Sequence, residues 1–365
     1  MASSESFDVI IIGGGPTGAA AAITLASRGF HIAVIERSAY STPRVGETLP
    51  PAIRSSLINL GIWQRFLEDG HIESFAIRSA WGNPEPRESD HICNPYGSGW
   101  HVDRVRFDRM LATAASNAGA ILITQARIKH LSQHHRCSWE MAVSQHKRSY
   151  CLHTPFLIDA TGQTAAIPTG LPRSFHVVDR LIGIVCFLAR VAEPYALVEA
   201  EACGWWYSAP LPDGLLVVAY MTDADLFAAA GCNLSDYWRH RLDEAKLTYT
   251  RIGAQTALTE PKVVSAASLI RRPIYGSDWL AAGDASVAFD PLSGQGVYNA
   301  LKGGILAAEA VIARFEGNNE SFTEYSEWIN TQFSNYLQMR STFYGKEQRW
   351  PHSVFWRRRH SLAGM

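Results

Sequence analysis

Apolar runs at residues 9–12, 156–158 and 279–282, and the stretch 31–35 that is apolar after His31, stand out against an otherwise mixed sequence. Such runs predict strands buried on both faces of a parallel sheet. Small residues from Pro16 to Ala26 predict a helix directly after the first strand, with proline in its opening turn. The pattern then changes to alternation. Residues 174–190 and 205–221 read as strands of an antiparallel sheet with one buried face, and the His- and Lys-rich stretch 129–151 as a solvent-facing β-meander. Residues 52–66 predict a helix, an apolar helix follows Gly296, and the chain from Glu320 onward is helical.

This order predicts an α/β domain of the doubly wound type assembled from separated segments, 1–70, 100–168 and 261–315. Residues 71–99 and 169–260 form an inserted antiparallel β-sheet domain roofing a substrate chamber, and 316–365 a C-terminal helical segment. A length of 365 residues suits two such bodies better than one core.

The turn between the first strand and helix carries the chemistry. It reads Gly13-x-Gly15-x-x-Gly18, with Pro16 and Thr17 between the last two glycines. The first glycine permits the tight turn, the second lets a pyrophosphate approach the backbone, and the third lets helix and strand pack closely. The helix N-terminus offers free N–H groups and a positive dipole end to phosphates. Glu36, eighteen residues beyond Gly18, ends the next strand, where a carboxylate accepts from both ribose hydroxyls; Arg37 follows it. An acid there fits FAD or NAD and argues against a 2′-phosphate.

Further motifs distinguish the two. Asp159-Ala160-Thr161-Gly162 ends one predicted strand, Gly283-Asp284 ends another, and Pro291-Leu-Ser-Gly294-Gln295-Gly296-Val297 opens the long helix. In this order they resemble the FAD-dependent aromatic hydroxylases and flavin halogenases. The resemblance implies a glutathione-reductase-like and aromatic-hydroxylase-like Rossmann fold. It implies Asp284 at the ribityl and pyrophosphate region and the 291–297 turn against the flavin pyrimidine. A positive helix end there would stabilise anionic reduced flavin. Arg44-Val45-Gly46-Glu47-Thr48-Leu49-Pro50 resembles the halogenase-branch strap between cofactor and substrate chambers, with Arg44 near the pyrophosphate. Arg104 matches a cofactor-contacting position on a following helix.

Two departures argue against halogenation. Ala76 occupies the position where tryptophan halogenases carry a lysine, and their Trp-x-Trp-x-Ile-Pro signature is degraded to Trp205-Trp206-Tyr207-Ser208-Ala209-Pro210. Together with the strap, these features look like the LodB/GoxB/QhpG-type flavoproteins that mature tryptophylquinone-containing amine and amino-acid oxidases. That resemblance implies a monooxygenase acting on a tryptophan inside a quinoprotein precursor, with dioxygen as co-substrate. Electrons would come from NAD(P)H or a separate flavin reductase, since no second dinucleotide motif is present. A monooxygenase or oxidase of a free small aromatic, and a non-catalytic flavoprotein chaperone, are the alternatives.

Reduced flavin activates dioxygen for electrophilic attack on an electron-rich ring, and the protein excludes water, positions the ring and supplies a proton. Glu47, His101 and Asp290 are the candidates for proton chemistry. Each has a structural alternative: Glu47 bonding backbone amides, His101 orienting a neighbour, Asp290 capping the next helix. Trp205, Trp206 and Tyr207 are candidate substrate contacts by stacking, or simply core.

A net charge of −1 excludes a general nucleic-acid footprint. No stretch predicts a bilayer span and no signal peptide precedes the first strand, so the cytoplasm is the expected location. Six scattered cysteines read as reduced and structural. His134, His135 and His146 are not expected to bind metal, and no metal is expected elsewhere. The Arg- and Trp-rich tail 346–360 either docks a partner or packs Trp350 and Trp356 on its own domain.

Overall fold

A computed structural model describes residues 4–91, 94–134, 138–146, 148–163, 171, 173–189, 193–253 and 257–361. His135 and two of the six cysteines, Cys93 and Cys137, lie outside these. The apolar run Val9–Ile12 is the middle strand of a five-stranded parallel sheet. Its order is Trp279–Ala281, Phe156–Asp159, Val9–Ile12, Ile32–Ile35, Ile121–Ile123. Val9 and Ile11 face helices Pro16–Ala26, Arg104–Asn117 and Gly296–Phe315; Ile10 and Ile12 face the meander. Burial on both faces is why these strands read as continuous apolar runs.

The meander, Ala126–His134, Ser138–Gln145 and Arg148–Thr154, is joined at its edge by Ser4–Ser6. Trp139, Met141 and Leu152 seal it onto the parallel sheet.

A seven-stranded sheet contains Leu181–Ala189, Leu215–Asp223, Gly204–Leu211 and Ala196–Glu201, with Ala76–Ala80 and Arg87–Asp90 at one end and Lys262–Ser265 at the other. Each alternating stretch is interrupted. Residues 174–190 divide into Ser174–Val177, which pairs in a separate sheet, and Leu181–Ala189. Residues 205–221 turn at Pro212–Gly214, where Asp213 takes φ of 63°. The expected helix 52–66 is two, Ile53–Asn59 and Trp63–Glu68, separated at Gly61, whose φ is 71°.

The two faces of the seven-stranded sheet have different neighbours. Trp206, Val218 and Tyr220 lie under helices Leu234–Asp243 and Lys246–Ile252. Trp205, Val217 and Ala219 face the other way, toward the interior between the domains and the C-terminal residues Tyr344, Phe355 and Trp356. The tail therefore packs on its own sheet. Trp356 is fully buried and donates to the Glu201 carbonyl at 2.8 Å, while Arg359 pairs with Asp223 at 2.8 Å.

Candidate functional site

One continuous cavity of about 730 Å³ runs from the glycine turn and Glu36 to the inner face of the seven-stranded sheet. That volume is in the upper part of the range of about 300–1,000 Å³ typical of ligand pockets.

The glycine turn forms one end. Gly13 has φ of 105°, and a Cβ there would meet the Ala160 carbonyl at 2.3 Å, so strand 156–159 can follow closely only beside glycine. A Cβ on Gly15 would instead project into open space in the cavity wall. The turn is thus packed on one side and bare on the side a phosphate would approach. Gly18 sits beneath, against the Gly13 carbonyl, and Gly283 packs on Thr17; neither lines the cavity, and both set the spacing of its walls.

Glu36 is buried and accepts from the Gly14 N–H at 2.8 Å and the Ser38 N–H at 2.7 Å, which fixes its carboxylate at the cavity edge. Tyr40 locks the same turn by donating to the Gly14 carbonyl at 2.8 Å. Arg37 and Arg44 line this end, Arg44 standing 3.6 Å from Glu36 and 3.7 Å from Asp108.

The opposite wall comes from the third segment. Asp284, Pro291, Gly294, Gly296 and Val297 line the cavity, and the 20-residue helix Gly296–Phe315 begins there, aiming its unpaired N–H groups inward. Gln295 occupies the cap position but its side chain does not reach the cavity. Burial pushes the Asp284 carboxyl up to about 6, against the opposing pull of Arg104.

Arg104 holds the strap. Its guanidinium grips Asp108 at 3.0 and 3.1 Å and donates to the Val45 carbonyl at 2.6 Å. Gly46, with φ of 92°, passes so close that a Cβ would lie 2.7 Å from Arg104 Nη1. The strap positions Glu47 and Thr48 where the parallel-sheet domain meets the seven-stranded sheet. Glu47 is buried, and burial pushes its carboxyl above the usual range despite a hydrogen bond with Tyr207 and the charge of Arg104. The Tyr207 hydroxyl stands 2.5 Å from Thr48 Oγ1, which lies 3.0 Å from His101 Nδ1. Glu47, Tyr207, Thr48 and His101 thus form one hydrogen-bonded chain leading away from the cavity.

For three candidates the side chain lies off the cavity, in the structural alternative weighed for each. His101 is fully buried behind Thr48, does not line the cavity, and is connected to it through Thr48. Asp290 is not at the cavity; it accepts from the Leu292 N–H at 2.9 Å and the Tyr344 hydroxyl at 2.7 Å, with Arg340 at 3.6 Å, so it caps the turn and anchors the C-terminal helix. Trp206 lies on the far face of its strand, packed on Tyr220 and Trp238, because side chains alternate and Trp205 and Tyr207 take the cavity face. Gly162 lines the cavity as expected, and Thr161 and Gln163 beside it do too. Met221, Arg127 and Phe289 were missed. Phe289 abuts the 291–297 turn and was open to inference; Arg127 comes from the first meander strand, just ahead of the stretch read as solvent-facing, and carried no cofactor signal.

A glycine turn bare at Gly15, a carboxylate at Glu36, arginines nearby and a helix N-terminus at the other wall fit an extended dinucleotide. A comparison with known proteins supplies the class. LodB of Marinomonas mediterranea, named as an FAD-dependent oxidoreductase, is 27% identical over 371 residues, covering 99% of both chains. The tryptophan 2-halogenase of Chondromyces crocatus is 24% identical over 98% of this chain and 71% of its own. Among solved structures, the myxobacterial chondrochloren halogenase CndH superposes with a TM-score of 0.89 at 23% identity, over 97% of this chain and 86% of that one. The peptidyl tryptophan dihydroxylase QhpG, described as essential for tryptophylquinone cofactor biogenesis, gives 0.78 at 23% identity, over 97% and 78%. The family of FAD binding domains matches residues 6–325, and the chain belongs to it as an FAD-dependent oxidoreductase.

Proposed function

We propose that this flavoprotein is a monooxygenase that hydroxylates a tryptophan side chain within a quinoprotein precursor, during tryptophylquinone formation. The observation that carries the reading is the far end of the cavity. There Trp205, Tyr207, Val185, Val217 and Met221 make an apolar and aromatic wall, and the buried Glu47, whose carboxyl is pushed upward by burial, faces it. An electron-rich indole needs burial and a proton source more than a strong base.

FAD, when bound and reduced, supplies activated oxygen. The chain's own residues do the rest. Gly13, Gly15, Pro16 and Thr17 with Glu36, Arg37 and Arg44 hold the dinucleotide. Arg104 fixes the strap, and Asp284 with the 291–297 turn borders the ring system. Glu47 donates a proton to the oxygen that leaves, and Tyr207 and Thr48 restore it from the interior. The proposed electron source is NAD(P)H or a separate reductase.

The likeness to QhpG, described as a peptidyl tryptophan dihydroxylase, supports a protein substrate. Among the described residues no lysine lines the cavity, and Ala76 lies in strand Ala76–Ala80 rather than presenting an amine. The test is incubation with an unmodified quinoprotein precursor, FAD, a reductant and dioxygen, in the presence of chloride and bromide. Oxygen added to a peptide tryptophan, located by mass spectrometry, supports the reading. Halogenated product, or oxygenation of free aromatics alone, overturns it.

A further inference from the structure

The β-meander brings together a side-chain cluster that serves neither the cavity nor the core. Trp139, Met141, Val143 and Leu152 point inward, so strand alternation turns Glu140, Cys151 and His153 to the opposite face. Antiparallel register sets Glu140 directly across from His153 and Ala142 across from Cys151. One ligand atom from each of Glu140, Cys151 and His153 lies within 4.8 Å of the other two.

We propose that Glu140, Cys151 and His153 bind one zinc ion on the outer face of the meander. Cys151 Sγ and His153 Nε2 stand 3.6 Å apart. A tetrahedral zinc at about 2.3 Å from sulfur and about 2.05 Å from nitrogen separates two such ligands by about 3.6 Å. The pair therefore already has the spacing that the ion requires. Thiolate and imidazole with one carboxylate select zinc or cobalt over magnesium or calcium, which take all-oxygen shells.

The site is also held in place by its backbone. Strands Ser138–Gln145 and Arg148–Thr154 are the two inner strands of their four-stranded sheet, so each is laddered on both sides. All three side chains are half-buried, which leaves a fourth position open to water. On binding, the Cys151 S–H bond breaks, its proton goes to solvent, and the thiolate bonds to the ion.

The experiment is a Co²⁺ titration of the full FAD-loaded chain, read at wavelengths beyond the absorption of oxidised flavin. Tetrahedral cobalt bands saturating at one equivalent, and displaced by Zn²⁺, are expected. Cys151→Ser should abolish them, and Glu140→Gln should weaken binding by at least about tenfold while keeping the side-chain volume. Circular dichroism and the bound-flavin spectrum establish that each variant is folded. Absence of the bands in the unaltered protein overturns the site, and so do bands that persist at full strength in both variants.

Discussion

The Tyr207 hydroxyl stands 2.5 Å from Thr48 Oγ1, tying the roof of the cavity to the strap beneath it. Tyr207 also hydrogen-bonds Glu47, and burial beside that carboxyl raises the phenol far above its ordinary range, so it stays protonated. It is the link through which the half-buried Thr48 and the buried His101 reach Glu47. Tyr207→Phe removes both bonds at little cost in volume. Hydroxylation should fall by roughly 10- to 100-fold, at or below the low end of the about 100- to 10,000-fold that a positioned proton donor contributes, because Tyr207 acts through Glu47. FAD affinity should stay within about twofold, because Tyr207 lies beyond the dinucleotide end of the cavity. Single-turnover product formation and an FAD titration measure the two separately. An equal loss in both would show that Tyr207 shapes the strap instead.

Gly15 offers a cleaner separation of cofactor binding from folding. A side chain there meets no protein atom within 4 Å, so Gly15→Val should leave the fold intact and block the dinucleotide. A visible absorbance titration should show FAD affinity down by at least about 100-fold, with an unchanged far-ultraviolet spectrum. Retained binding would remove the glycine turn from the site.

Asp284 gives the site a pH dependence of known sign. Its folded carboxyl is raised from 3.8 to about 6, so between those values the folded protein holds more protons than the unfolded chain. The stability of the FAD-free protein therefore falls as pH rises through that window. Affinity runs the other way. The ionised carboxylate accepts from hydroxyl groups on both oxygens, so FAD should bind tightest above pH 6 and weaken by up to about tenfold per unit below it. Asp284→Asn should flatten the affinity profile. Titrations between pH 5 and 8 check this, and a profile unchanged in the variant would assign the dependence to another group.

Much of this was legible in the residue pattern because local physics dictated it. A run such as Val9–Ile12, followed by Gly13-x-Gly15-x-x-Gly18, has few structural solutions, and the helix Pro16–Ala26 ends where its small residues do. Glu36 could be placed by spacing alone. His101 and Asp290 could not, since whether a buried polar residue faces a cavity or a neighbour depends on partners such as Thr48 and Tyr344, distant in sequence. The Glu140, Cys151 and His153 cluster was likewise invisible, because it depends on antiparallel register across a turn. Trp206 was left between substrate contact and core for a simpler reason. Aromatic character identified the strand, but only its register decides which of three adjacent aromatic side chains faces the cavity.

That register makes Trp205 and Trp206 opposites in a mutational test. Trp206 is fully buried, with ring centroids 4.8 Å from Tyr220 and 5.3 Å from Trp238, and its indole N–H meets no acceptor among the described residues. Trp206→Ala should cost about 3–5 kcal/mol of stability from the cavity it leaves. Trp206→Phe should cost about 1 kcal/mol or less, since it also removes an unsatisfied buried donor. Neither should change kcat/KM per folded molecule, because the sheet separates this side chain from the substrate. Trp205 lines the cavity and donates to the Tyr344 hydroxyl at 3.1 Å. Trp205→Phe should lower kcat/KM by roughly tenfold, through lost contact with the bound aromatic ring and a loosened wall. Thermal unfolding and steady-state rates on the same preparations compare the two positions, and a larger kinetic effect at Trp206 would mean that the strand register is wrong.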